Sequence, residues 1–138
     1  MSFDADFRSF LVDDPGVREL IVTRLYPLTL PQGCLLPAAT YQQISGPRDH
    51  TMDGPSGLGT LRMQITTFAL EKKNAKELAN RIRLALDGAY GLFGDGTRIQ
   101  SIELLDEHDE YDSTSIVHST IVDFEVVVEE AVRWAREA

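Results

Sequence analysis

The sequence predicts an α+β fold: a four-stranded antiparallel sheet with one long helix and N-terminal helices packed on one face, in the order α-β-β-α-β-β. Two observations carry this prediction. From residue 74 onward, Ala75, Leu78, Ala79, Ile82, Ala85, Leu86 and Ala89 form one apolar stripe at helical spacing. Residues 60–70 and 120–128 instead alternate with a period of two, as half-buried strands do. At 138 residues and 43% hydrophobic content, the chain suits a single domain, 1–138. Its core is expected to offset backbone ordering of roughly 1–2 kcal/mol per residue.

Each element has a local reason. Phe3, Phe7, Phe10 and Leu11 recur at helical spacing behind Ser2, an acceptable cap, which predicts a helix over 3–12. Asp14-Pro15 interrupts it, and Pro15 suits the first turn of a second short helix carrying Val17, Leu20 and Ile21. Residues 24–37 hold three prolines and one glycine and read as a connector. A strand is expected over 38–45. The segment 46–59, with four glycines and two prolines, reads as a long loop without regular structure, either a mobile tip or an arm.

The strand 60–70 then leads into the helix 74–88. Asn74 with Glu77 resembles a capping box, and Asp87-Gly88 supplies the stop. After the glycine-rich turn YGLFGDGT, Ile99, Ile102 and Leu104 begin a third strand that is expected to dissolve into acids. The fourth strand runs through Val122, Phe124, Val126 and Val128, and a helical turn in EEAVRWARE closes the order. One sheet face is expected to be apolar and covered; the other is expected to be polar, lined by Arg62, Gln64, Thr66, Asp123 and Glu125.

Composition excludes several function classes. A formal charge of −9, from 22 acids against 13 bases, repels phosphate backbones, so no tight nucleic-acid binding is expected. The start MSFDADF is acidic where a secretion signal is basic, and no apolar run approaches about 18 residues, so neither export nor membrane spanning is expected. The one cysteine, Cys34, excludes an internal disulfide and is expected to be an ordinary small side chain.

Catalytic and metal motifs do not assemble, so no cofactor and no enzyme activity are expected. His50, His108 and His118 lack HxxxH or HExxH spacing. GPSGLG lacks the GK[ST] ending of a phosphate loop and precedes a strand where a phosphate cradle precedes a helix. The acids Glu103, Asp106, Glu107, Asp109, Glu110 and Asp112 do not fit the register of a calcium loop. The alternative reading is a small cytosolic cation-binding protein or enzyme using His108 and the 103–112 carboxylates. A third is a free-standing oligomeric binding module with a small ligand between sheet and helix.

The stretches VDDPGVRELIVTRLYPLTLPQG, LPAATYQQISGPRDHTMDGPSGL, LRMQITTFALEKKNAKELANRIRLALDG and IQSIELLDEHDEYD, followed by VDFEVVV, occur in this order. Together they resemble the phage tail-completion or tail terminator family, domain of unknown function 3168, over about residues 8–129. Thr23 stands where such proteins often have aspartate. The resemblance implies a structural subunit of a phage, prophage or gene-transfer-agent tail. It further implies a ring of copies, expected to be hexameric, that ends the tail tube or joins tail to head. The implied partners are further copies, the tail tube protein and head-tail connector proteins, with DNA passing through the ring. The implied location is the host cytoplasm during assembly and the tail or neck of the particle afterwards. Arg48, Asp49, His50, Asp53, Gly54 and Gly57 are the expected inter-subunit contacts, with Gly54 and Gly57 allowing backbone that a Cβ would obstruct.

Overall fold

The computed structural model describes residues 3–51, 54–93 and 97–129, with 49–51 and 54–56 as backbone alone. Helix α1 (Phe3–Asp13) buries Phe7 and Leu11, the inward positions of its period. Asp14 then accepts a hydrogen bond from the Val17 amide at 3.1 Å and caps α2 (Pro15–Ile21), whose Pro15 needs no donor in the first turn. Strand β1 (Leu25–Pro27) lies within the expected connector and pairs in parallel with β2 (Ala38–Ser45).

The expected loop at 46–59 is instead regular. Strand β3 (Arg48–Thr51) folds back on β4 (Gly54–Ala69) as an antiparallel hairpin. The glycines and prolines that suggested a loop serve the hairpin. Between the pairs Arg48↔Gly59 and His50↔Pro55 the register shifts, and Gly57 takes φ 89° there. That positive φ suits a glycine in a bulge.

Helix α3 (Lys72–Leu86) starts earlier than the capping-box pattern implies. Glu71 is the N-cap without a side-chain bond, and the amides of Asn74 and Ala75 already bond to its carbonyl, so Asn74 is not the cap. The stop is as expected: Asp87 is the C-cap and Gly88 follows at φ 83°. Strand β5 (Gly91–Phe93) falls within the expected glycine turn, and β6 (Thr97–Asp112) does not dissolve but runs through the acidic stretch. It pairs along its length with β7 (Val117–Glu129). The helical turn expected after residue 129, and the cap at Ser2, lie outside the described residues.

The sheet therefore has seven strands and is mixed, in place of four antiparallel ones. Its order is β1-β2-β4-β7-β6-β5, with β3 also on β4. The core lies between the helices and one sheet face. Leu61, Met63 and Ile65 of β4 and Val122, Phe124, Val126 and Val128 of β7 meet Leu78, Ile82 and Leu86 of α3, all buried. Residues paired across strands share a face, so Arg62, Gln64, Thr66, Asp123 and Glu125 do lie together on the opposite side. That outer face is not wholly polar, however. Phe68, Ile121 and Val117 share it, and residues 30–36 of the connector come to lie against it.

Candidate assembly surface

The central ladder, β4 against β7, begins among the described residues at Leu58↔Glu129 and ends at Ala69↔His118. Residues Gly54 to Gly57 continue β4 past the first of these pairs, with β3 beside them. The hairpin thus projects at one end of the ladder. A hairpin of two strands is only marginally stable by itself in water. Arg48 anchors its base, donating to the Gly46 carbonyl. Its side chain crosses so closely over Gly59 that a Cβ there would lie 2.5 Å from the Arg48 Cδ.

The expected contact residues are therefore gathered on one element. Arg48, Asp49 and His50 belong to β3, Gly54 opens β4 and Gly57 forms the bulge, while Asp53 lies outside the described residues.

The opposite end of the ladder differs in character. There the connector and the outer face enclose an open groove of about 320 Å³, lined mainly by Leu30, Pro31, Cys34, Leu36, Phe68 and Val117, with Asp112 and Ser119. The Cys34 thiol donates to the Leu35 carbonyl at 3.3 Å, and its hydrogen bond with Tyr26 is the first cause holding that hydroxyl above its ordinary pKa. Sequence reasoning missed this groove. Its available signal was the run of leucines at 28, 30, 35 and 36 in a proline-rich connector, more apolar than a solvated link requires. The groove is not the pocket between sheet and helix that a ligand-binding module requires, because it opens on the other face.

The acidic run is divided by the alternation of β6. Glu107 and Asp109 point to the α3 side, where Lys76 meets each at 3.0 Å and Lys72 approaches Asp109 at 3.9 Å. The hydrogen bond to Glu107 first, and that to Asp109 next, hold the Lys76 ammonium above its ordinary pKa; Lys76 in turn holds the Asp109 carboxyl below its own. Asp106, His108 and Glu110 share the outer face, where His108 sits 3.8 Å from one carboxylate and 3.9 Å from the other. Among the described residues, no group of three histidine, cysteine, aspartate or glutamate side chains is placed to hold a metal ion. The same outer face carries Arg62, kept charged above all by its hydrogen bond to Asp123.

The family model described as Tail completion protein gp17 matches residues 6–129. No curated protein matches the chain. Among solved structures, a chain from the virion of a native gene transfer agent particle superposes with a TM-score of 0.72 at 19% identity, covering 93% of this chain and 95% of that one. At that identity the likeness establishes the fold.

Proposed function

The chain belongs to the tail completion protein gp17 family and is a structural protein of phage-type tails, and we propose that its copies close into a ring that ends the tail tube or joins tail to head. Six copies is the expected number, and the ring works by shape and contact instead of by bond chemistry. One observation carries this reading: the two ends of the β4–β7 ladder present unlike surfaces, a projecting hairpin at one and an apolar groove at the other. Contacts between unlike patches run head to tail, and they close into a ring when the rotation between copies allows. Each contact is expected to bury on the order of 1,200–2,000 Å² in total.

In this reading Arg48, Asp49, His50, Asp53, Gly54 and Gly57 make contacts to a neighbouring copy or to the next ring. The tail tube protein and the head-tail connector are the other partners. The net charge of −9 suits a ring through which DNA moves without adhering. The subunit assembles in the host cytoplasm and resides in the tail or neck of the particle. The structural relative comes from the virion of a gene transfer agent particle.

Negative-stain images and light scattering of concentrated protein test the proposal. Closed rings of uniform size are expected, together with binding to the ends of purified tail tubes. A chain that remains monomeric at high concentration and ignores the tubes sinks the reading.

A further inference from the structure

This inference rests on the ring reading and names the contact that closes it. The segments that line the groove also carry apolar residues kept in water. Leu28, Leu35 and Ile116 are 65%, 72% and 62% exposed. Leu35 stands between the lining residues Cys34 and Leu36, and Ile116 between Ser115 and Val117. Leu28 and Ile116 are also held at φ 65° and 59°, a region that bulky side chains rarely occupy. Exposed apolar side chains flanking an apolar groove mark a surface that another protein segment covers.

The chain itself contains a segment of matching chemistry. Residues 131–136, AVRWAR, follow β7 and lie outside the described residues. They carry Val132 and the only tryptophan, Trp134, interleaved with Arg133 and Arg136. The groove offers an apolar floor in Phe68, Val117 and Leu36 and a carboxylate in Asp112, with Glu110 on the same face of β6. Tryptophan and arginine are the residues that most often dominate interface affinity.

Within one copy the two cannot meet. The twelve steps of β7 from Val117 to Glu129 span about 40 Å, whereas the five residues from 130 to 134 reach at most about 18 Å. That span puts the groove, at the other end of the ladder, beyond the reach of residues 130–134 in the same copy. A copy placed head to tail brings the two together. We propose that residues 131–136 of each copy dock in the groove of the next, with Trp134 against its apolar floor and the arginines toward Asp112 and Glu110.

The single cysteine makes this testable, because Cys34 lines the groove. Ala135→Cys then adds the only other thiol. Oxidised at high concentration, that variant is expected to give a ladder of disulfide-linked copies on non-reducing gels, ending at the size of the ring. The natural chain yields dimers at most. Trp134→Ala is expected to raise the concentration needed for assembly about tenfold or more, and Trp134→Phe to recover most of that loss. Full-size rings with no ladder, and with Trp134→Ala assembling normally, overturn the docking and leave the ring reading standing. A disulfide formed within one copy overturns it too, since it places the segment in its own groove. Absence of any oligomer from the natural chain removes the ring reading, and this contact with it.

Discussion

Arg62 on β4 donates to Asp123 on β7 at 2.5 Å, one step diagonally across the ladder, and Gln64 donates to the other carboxylate oxygen at 3.1 Å. Asp123 is only 4% exposed although it lies on the outer face, so both donors replace water that the fold has removed. Replacing Asp123 by alanine removes the shared acceptor of Arg62 and Gln64. A loss of about 1–3 kcal/mol in chemical denaturation is expected. Arg62→Met leaves the buried carboxylate with Gln64 as its side-chain donor and is expected to cost at least as much; a negligible loss from Arg62→Met would contradict the assignment.

The contact of Lys76 with Glu107 and Asp109 predicts a pH dependence with a definite sign. Asp109 is held below its ordinary carboxylate pKa, so its contribution is present above that ordinary value and is lost as pH falls through the lowered one. Lys76 is held above its ordinary value, so its contribution is present below that value and is lost as pH rises past the raised one. Both contributions are full between about pH 5 and 9. Lys76→Met should remove part of the acid-side loss of stability, by less than about 1 kcal/mol because these groups are partly solvated. Denaturation curves for the two proteins between pH 3 and 7 are expected to converge at the acid end.

Much of the fold is legible in local pattern, and each departure has a physical cause. The stripe from Ala75 to Leu86 and the alternation from Leu61 to Ala69 can be read because packing on a sheet imposes a period on the residues themselves. Strand β6 is hidden beyond Leu104 because its inward acids, Glu107 and Asp109, are balanced by Lys72 and Lys76, which are distant in sequence and adjacent only after folding. The hairpin is hidden because glycine and proline count as breakers locally, although Gly57 serves a bulge and Gly59 makes room for Arg48. Strands β1 and β5, at three residues each, are too short to show a period. The groove has no local signature, since its walls come from residues 30–36, Phe68 and 112–119.

The hairpin can be separated from the body of the domain by two changes. Deleting residues 48–57 should leave the helices and the β4–β7–β6 ladder folded, as judged by circular dichroism, while abolishing assembly onto tail tubes. Gly59→Ala is the gentler form. Its Cβ would fall 2.5 Å from the Arg48 Cδ and 2.8 Å from its Nε, so the side chain must leave its place over the strand. Little change in thermal midpoint is expected, because Arg48 is at the surface, together with weaker oligomerisation by light scattering. Normal assembly of both variants would remove the hairpin from the mechanism.

At the other side of the core, Asp6 in the first turn of α1 is 1% exposed and accepts a hydrogen bond from the Thr97 hydroxyl at 2.5 Å. Its second oxygen, Oδ1, is buried with no partner among the described residues. The carboxyl thus depends on one donor, which fastens the N-terminal helix to the start of β6. The stacked rings of Phe10 and Phe93, 3.9 Å apart, reinforce the same junction. Thr97→Val preserves shape and removes the donor, so it should cost about 1.5–3 kcal/mol. Thr97→Ser keeps the hydroxyl and is expected to recover most of that stability. Hydrogen exchange localises the effect: α1 amides should exchange faster in Thr97→Val while those of α3 change little. Uniform acceleration across both helices would show that α1 does not open separately from the core.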